Sequence, residues 1–349
     1  VQRLPIPTTA NPMLELGLQF KLRRRAEAAG SLGELEAVAL RLGMIQGTLR
    51  PRFHAPQLVV FAADHGLAVE GVVPAEELTT AQQIGRLLSS RLPLAVFARL
   101  QQIALTVVDC GVATPVAPHP RLMARKVAHG SRSARIGAAM SLEQTQAAIR
   151  TGMEVADALP GNVLMCAGLG AGGLESGALV LSRLTGTDSR ELVDAGDGMS
   201  QDRLARLMVV LHTALDRHQR ASGPLEVLAA LGGYDIAAMV GAILVAASRR
   251  HLIVLDGMAA CAALLVATRF APEVRGYGLC CHSHGHRGLQ RAHSLLDAGP
   301  LLELGLESVD GIGSTLAWPL LMSAAALLSE VTDTDEPLAE VASAEPMAG

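Results

Sequence analysis

At 349 residues the chain is long enough for one large or two modest domains with a sizeable core. Half of its residues are apolar but only 2% are aromatic, so Ala, Leu, Val, Ile and Met build the interior, a composition suited to close helix–sheet packing. A formal charge of −4 without any Lys/Arg-rich block argues against nucleic acid as a partner, and five cysteines without a spaced framework fit reduced thiols in a cytoplasmic protein.

No signal-peptide pattern opens the chain, because Arg3 is followed by a Pro-broken segment rather than an apolar run. Residues 14–29 carry helical patterning, Gly30-Ser31 punctuates, and Ser31-Leu32-Gly33-Glu34 predicts a capping box for a helix through Leu42. Residues 57–63 form a continuous apolar run closed by Asp64-His65-Gly66, the pattern of a buried parallel strand. Similar runs lie at 103–109, 163–167, 252–255 and 277–281, with helical patterns at 79–100, 142–159, 204–218 and 236–247. This alternation predicts an α/β fold with a mostly parallel sheet flanked by helices on both faces. The apolar runs 236–247 and 252–268 are poor membrane spans, the first too short and the second carrying Asp256 and Gly257. From 331 to 349 the chain is acidic and Pro-containing, and it is predicted to be a disordered tail.

Ligands of such sheets bind outside the carboxyl ends of the strands. Asp64-His65-Gly66, Asp109-Cys110-Gly111, the Gly-rich loop 168–173 and Asp256-Gly257 all fall there. The loop Gly168-Leu169-Gly170-Ala171-Gly172-Gly173 follows a strand and precedes a helix, the context for phosphate binding by backbone N–H groups. A tight strand-to-helix turn is the competing reading. Cys280-Cys281-His282-Ser283-His284-Gly285-His286 has metal-ligand chemistry without the usual structural spacings, so a polar loop is favoured; a metal would need a ligand such as His65 or His293. Asp64-His65 reads first as a hydrogen-bonded turn and Asp235 as the N-cap of a helix. Asp310-Gly311-Ile312-Gly313-Ser314 is a Gly-rich turn feeding an apolar helix, with one carboxylate as general base, gate or cap.

Taken together these motifs resemble the nicotinate-nucleotide:dimethylbenzimidazole phosphoribosyltransferase family. The likeness runs from Gly30-Ser31-Leu32-Gly33-Glu34 through Ala63-Asp64-His65-Gly66, Asp109-Cys110-Gly111-Val112 and Gly232-Gly233-Tyr234-Asp235 to the Pro319 helix. The resemblance implies a Rossmann-like domain, a smaller helical domain from both chain ends and a homodimer. Boundaries are expected at 1–45 for the N-terminal part of the small domain, 46–285 for the α/β domain, and 286–330 for the C-terminal part with the catalytic turn. It also implies phosphoribosyl transfer from nicotinate mononucleotide to a benzimidazole-like base, with no metal or redox cofactor.

By register with the family, its catalytic Glu falls on Asp310, one methylene shorter. Base contacts are expected from Gln83, Ala75 and Ile312. Phosphoribosyl contacts are expected from Gly170, Ala171, Gly172, Gly173, Ser176, Gly196, Gly198, Gly311 and Gly313. Several polar family positions are replaced: a Glu by Ala171, an Asn-Thr-Thr by Ser176-Gly177-Ala178, serines after Asp256-Gly257 among Ala259, Ala260, Cys261 and Ala262, and a Lys by Leu207 beside Arg206. Those losses keep an alternative open, a weak or silent paralogue pairing with an active subunit as a heterodimer.

Overall fold

Runs of apolar residues without alternation belong to strands covered on both faces, and five of them here line up side by side. The computed structural model describes residues 4–73, 78–193, 199–283, 287–297, 299–306 and 309–331. The predicted tail therefore lies outside the described residues from 332 on.

The chain begins with helices α1 (Pro12–Ala29) and α2 (Glu34–Gln46), then strand β1 (Gln57–Ala63), helices α3 (Thr80–Leu88) and α4 (Pro93–Leu100), and strands β2 (Ala104–Gly111) and β3 (Leu122–Ala124). Next come α5 (Leu142–Ala158), β4 (Val163–Leu169), α6 (Gly173–Thr185), α7 (Ser189–Val193), α8 (Gln201–Arg217), α9 (Pro224–Leu231) and α10 (Tyr234–Ser248). The last third holds β5 (Leu252–Asp256), α11 (Met258–Phe270), β6 (Gly278–Cys280), β7 (His282–Ser283), α12 (Arg287–Leu295), β8 (Leu302–Glu303) and α13 (Ile312–Ser329). The pattern at 79–100 resolves into two helices because Pro93 opens a new one at its first turn.

Two compact units divide the chain: Val1–Ala10 with Phe53–Pro319, and Asn11–Arg52 with Leu320–Gly349. In the first unit six strands pair in the order β3-β2-β1-β4-β5-β6, every pair parallel. All seven residues of β1 and all five of β5 are buried, as strands under helices on both sides must be. Helices α5 and α10 pack backbone to backbone. A Cβ at Gly152 would sit 1.7 Å from the Ala238 carbonyl oxygen, and one at Gly241 would sit 1.9 Å from that of Ile149. This contact shows how a core nearly free of aromatics reaches native density: small residues let the layers approach closely.

In the second unit Asn11 caps α1 by accepting the Leu14 N–H at 3.1 Å, and fully buried Leu18 packs against Gly43 of α2. The capping box predicted for α2 does not form. Gly33 takes the N-cap position at φ +57°, and Glu36 instead receives the Leu32 N–H at 2.7 Å and the Ser31 hydroxyl at 3.1 Å. Among the described residues, α13 is the one helix long and apolar enough to cross a membrane. Yet 61% of it is buried within the protein, as in a core helix.

Candidate active site

The strand order reverses direction between β1 and β4, and the crevice at the carboxyl ends of such neighbours is where doubly wound sheets bind ligands. Here that crevice holds a cavity of about 270 Å³ lined by Gln83, Gly168, Leu169, Gly170, Gly173, Leu174, Asp235, Met258, Ala259, Val309 and Asp310. Two carboxylates face into it, and among the described residues no Lys or Arg does.

The first carboxylate is balanced. His65, at the end of β1, places Nε2 3.1 Å from both oxygens of Asp235, and both side chains are buried. Burial alone pushes the imidazole pKa down, but the charge and hydrogen bond of Asp235, helped by Glu175 and Asp64, leave it raised above the ordinary histidine value. Asp235 is therefore not an N-cap as the sequence suggested. Gly233 caps α10, and Asp235 lies in the first turn with its carboxylate turned to the imidazole. The helix N-terminus adds favourable dipole to that carboxylate.

The second is not. Asp310 is half-buried at the cavity wall, and desolvation first, then the neighbouring charge of Asp256, raise its carboxyl pKa well above the usual carboxylate range. A hydrogen bond from the Gly168 N–H works in the opposite direction, and Asp235 adds to the repulsion. Asp256, at the end of β5, holds the turn from below: its Oδ2 accepts the N–H groups of Gly311 at 2.8 Å and Ser314 at 3.2 Å. Gly257 makes room for the acid. Its φ is +93°, and a Cβ there would fall 1.9 Å from Asp310 Oδ2. The turn thus sets one carboxylate, poised to take up a proton, at the wall of the cavity.

Of the predicted site residues, Gln83, Gly170, Gly173 and Asp310 line this cavity. Gln83 donates to the Leu78 carbonyl at 3.0 Å. Ala171, Gly172, Ser176, Ile312, Gly311 and Gly313 do not line it, while Ala75, Gly196 and Gly198 lie outside the described residues. In the Gly-rich loop the Ala171 N–H is committed to Thr80 Oγ1 at 3.3 Å and the Gly173 N–H to the Gly170 carbonyl at 3.1 Å. Thr80 in turn donates to Asp64, whose other oxygen accepts the Ala113 N–H at 2.7 Å. Asp64 is thereby a brace between loops, in keeping with the turn reading of Asp64-His65-Gly66. Asp109 likewise is held by Lys126 at 3.0 Å and the Val112 N–H at 2.9 Å. Leu207 packs into the interior and Arg206 is exposed.

Sequence reasoning missed the roles of Asp235 and Asp256. Asp235 is 170 residues from its partner His65, and nothing local marks the pair. Asp256 was marked by its position at a strand end just before a glycine, but nothing local showed that it accepts the N–H groups of the Asp310 turn.

Fold and site together define a doubly wound α/β protein with an acid-walled cavity at its topological switch point. A phosphoribosyltransferase family model matches residues 8–338. A nicotinate-nucleotide–dimethylbenzimidazole phosphoribosyltransferase of Variovorax paradoxus is 42% identical over 90% of this chain and 90% of its own length. One of Cupriavidus taiwanensis is 41% identical over 94% of each. The crystal structure of the Thermus thermophilus enzyme of that name superposes with a TM-score of 0.86 at 31% identity, covering 93% of this chain and 97% of that one. The chain belongs to the nicotinate-nucleotide–dimethylbenzimidazole phosphoribosyltransferase family.

Proposed function

We propose that the protein transfers the phosphoribosyl group of nicotinate mononucleotide to a benzimidazole-like base, activating a lower ligand of cobalamin, with Asp310 as general base. The observation that carries this reading is the Asp310 carboxyl, its pKa raised, on the wall of the switch-point cavity. In the ionised form it removes the imidazole N–H proton of the base, while the other ring nitrogen attacks C1′ of the nucleotide. The new N–C1′ bond forms as the C1′–pyridinium bond breaks, and its electron pair leaves on the nitrogen of nicotinate. The products are α-ribazole phosphate and nicotinate, and Asp310 releases its proton to solvent.

A base with its pKa moved toward neutrality suits this step, since the proton must be taken and then returned near pH 7. The Asp310 carboxylate, on a wall that no Lys or Arg among the described residues lines, also favours the positive pyridinium of the donor and the weakly acidic imidazole N–H of the acceptor. At about 270 Å³ the cavity matches one substrate half rather than the assembled pair. Gln83 contacts the base in this reading, and Gly170 and Gly173 let the ribose approach the backbone. The remaining predicted glycines, with Ala171 and Ser176, shape the turns on which those contacts stand. The working assembly is a cytoplasmic homodimer, as the resemblance implies, which native mass spectrometry reads directly as twice the chain mass.

Turnover of nicotinate mononucleotide with dimethylbenzimidazole, followed by product chromatography, tests the assignment. Asp310→Asn is expected to lower kcat by about 10²–10⁴-fold, the usual contribution of a general base. Undiminished turnover in the variant refutes Asp310 as base, and no turnover in the wild type favours the silent-subunit alternative.

A further inference from the structure

Adjacent to the acid-walled cavity, three side chains with soft metal-ligand chemistry converge from three separate elements. Cys261 comes from α11, Cys280 from the end of β6 and His293 from α12, all of them buried. One ligand atom of each lies within 4.8 Å of the others. A tetrahedral ion with Zn–S near 2.3 Å and Zn–N near 2.0 Å holds its ligands roughly 3.5–3.8 Å apart, so a contraction of about 1 Å would close the set.

We propose that Cys261, Cys280 and His293 form a three-ligand site for a thiophilic divalent ion of the Zn²⁺ class. Two independent observations converge on it. His293 is 4% exposed, and its Nδ1 has no hydrogen-bond partner among the described residues, an expensive arrangement for a buried ring nitrogen unless a ligand takes it up. The thiol of Cys261 falls within residues 259–262, the stretch where the family resemblance leads one to expect serines, so the donor set belongs to this chain's own sequence.

The surroundings fit a cation. Cys261 shares a hydrogen bond with Cys280, and the carboxylates of Asp310 and Asp256 act on its thiol from nearby. A divalent ion displacing the two thiol protons would answer those same charges. The neighbouring Cys281 stays outside the set, with its Sγ 3.2 Å from Ser314 Oγ on α13. His293 also lines a surface groove with Gln290, Ser294, Asp297, Pro300 and Glu303. His65, the alternative histidine suggested by the sequence, is taken by Asp235. Three protein ligands leave the fourth position to water, as in zinc sites that are not closed. Of the predicted loop, Cys280 is in the set, residues 284–286 lie outside the described residues, and Cys261 was not anticipated.

Co²⁺ is the probe of choice, because thiolate ligation gives a near-ultraviolet charge-transfer band and tetrahedral geometry gives intense visible bands. The untagged full chain, reduced and freed of chelator, is titrated with Co²⁺ and then with Zn²⁺. One equivalent of Co²⁺ showing both bands, displaced by Zn²⁺, is expected. Cys261→Ala and His293→Ala, each checked for native circular dichroism, should weaken binding at least 100-fold, whereas Cys281→Ser should leave it unchanged. Absence of a thiolate band in the wild type overturns the site, as does binding untouched by Cys261→Ala, a small substitution that the core accommodates. The readout involves no turnover, so failure of the metal site and failure of the transferase reading are told apart.

Discussion

Asp235 and Asp310 line the same cavity, the first buried and the second half-buried, yet among the described residues only Asp235 has an imidazole against it. Asp235 sits on the N-terminal turn of α10 with His65 at 3.1 Å, so its charge is satisfied before any substrate arrives. Asp310 sits among carboxylates, with the Gly168 N–H as its compensation and the like charge of Asp256 as the stronger repulsion on it. The first arrangement stabilises a fold. The second stores proton affinity, which a transferase base uses and a purely structural acid would not need. The contrast also separates two kinds of family residue, those whose loss unfolds the site and those whose loss only silences it.

Removing the imidazole should produce the largest effect. His65→Ala strands Asp235 as a buried charge and is expected to lower unfolding free energy by about 3–5 kcal/mol, measured by denaturant titration near pH 6. Because the folded His65 pKa is raised, the pair's contribution is complete below about pH 6.5 and declines as pH rises through the folded value, so the variant's deficit should shrink on the alkaline side. A deficit independent of pH would mean that His65 acts through packing alone.

Gly257→Ala comes next, and it acts on the chemistry as well as on the fold, since its φ of +93° disfavours any side chain. The added methyl group falls on Asp310 Oδ2 and must displace the carboxylate, and a misplacement of about 1 Å is expected to lower kcat roughly 100-fold. Steady-state kinetics with circular dichroism separates this from misfolding. Unchanged kcat would show that the carboxylate position is not critical.

The smallest effect has the opposite sign. Asp310→Asn keeps an acceptor for the Gly168 N–H but removes a charge that repels Asp256, so it should raise Tm by about 2 °C or more at pH 7–8. A carboxyl whose folded pKa is raised destabilises the fold increasingly as pH climbs from its unfolded value of 3.8 through the folded one. The gain in Tm should therefore vanish near pH 4. A lowered Tm at pH 8 would place Asp310 with Asp235 as a structural acid.

The sheet was legible because its strands are buried on both faces, which writes them as apolar runs, and β1 begins and ends where the run 57–63 does. The three-residue edge strand β3 left no such trace, since Leu122–Ala124 is half exposed and bounded by loops. Asp310 was legible through its register with Pro319, and the clustering of Asp and Gly at strand ends marked the cavity. Partnerships across the sheet were not: His65 with Asp235 and Cys261 with Cys280 and His293 arise from topology, not spacing. The phosphate reading of the loop 168–173 passed over what Thr80 and Gly170 do to its N–H groups, because no local pattern reveals where a backbone donor points.

As the proposed base, Asp310 must be ionised to work and resists ionisation at the cavity wall. The pH dependence of kcat/KM for the wild-type enzyme, with nicotinate mononucleotide saturating and the base varied, tests it most directly. An acid limb is predicted in which activity falls as pH drops, with its midpoint well above the ordinary aspartate value of 3.8 and no such limb in the residual activity of Asp310→Asn. Full activity retained down to pH 4, or the same limb in the variant, would contradict it.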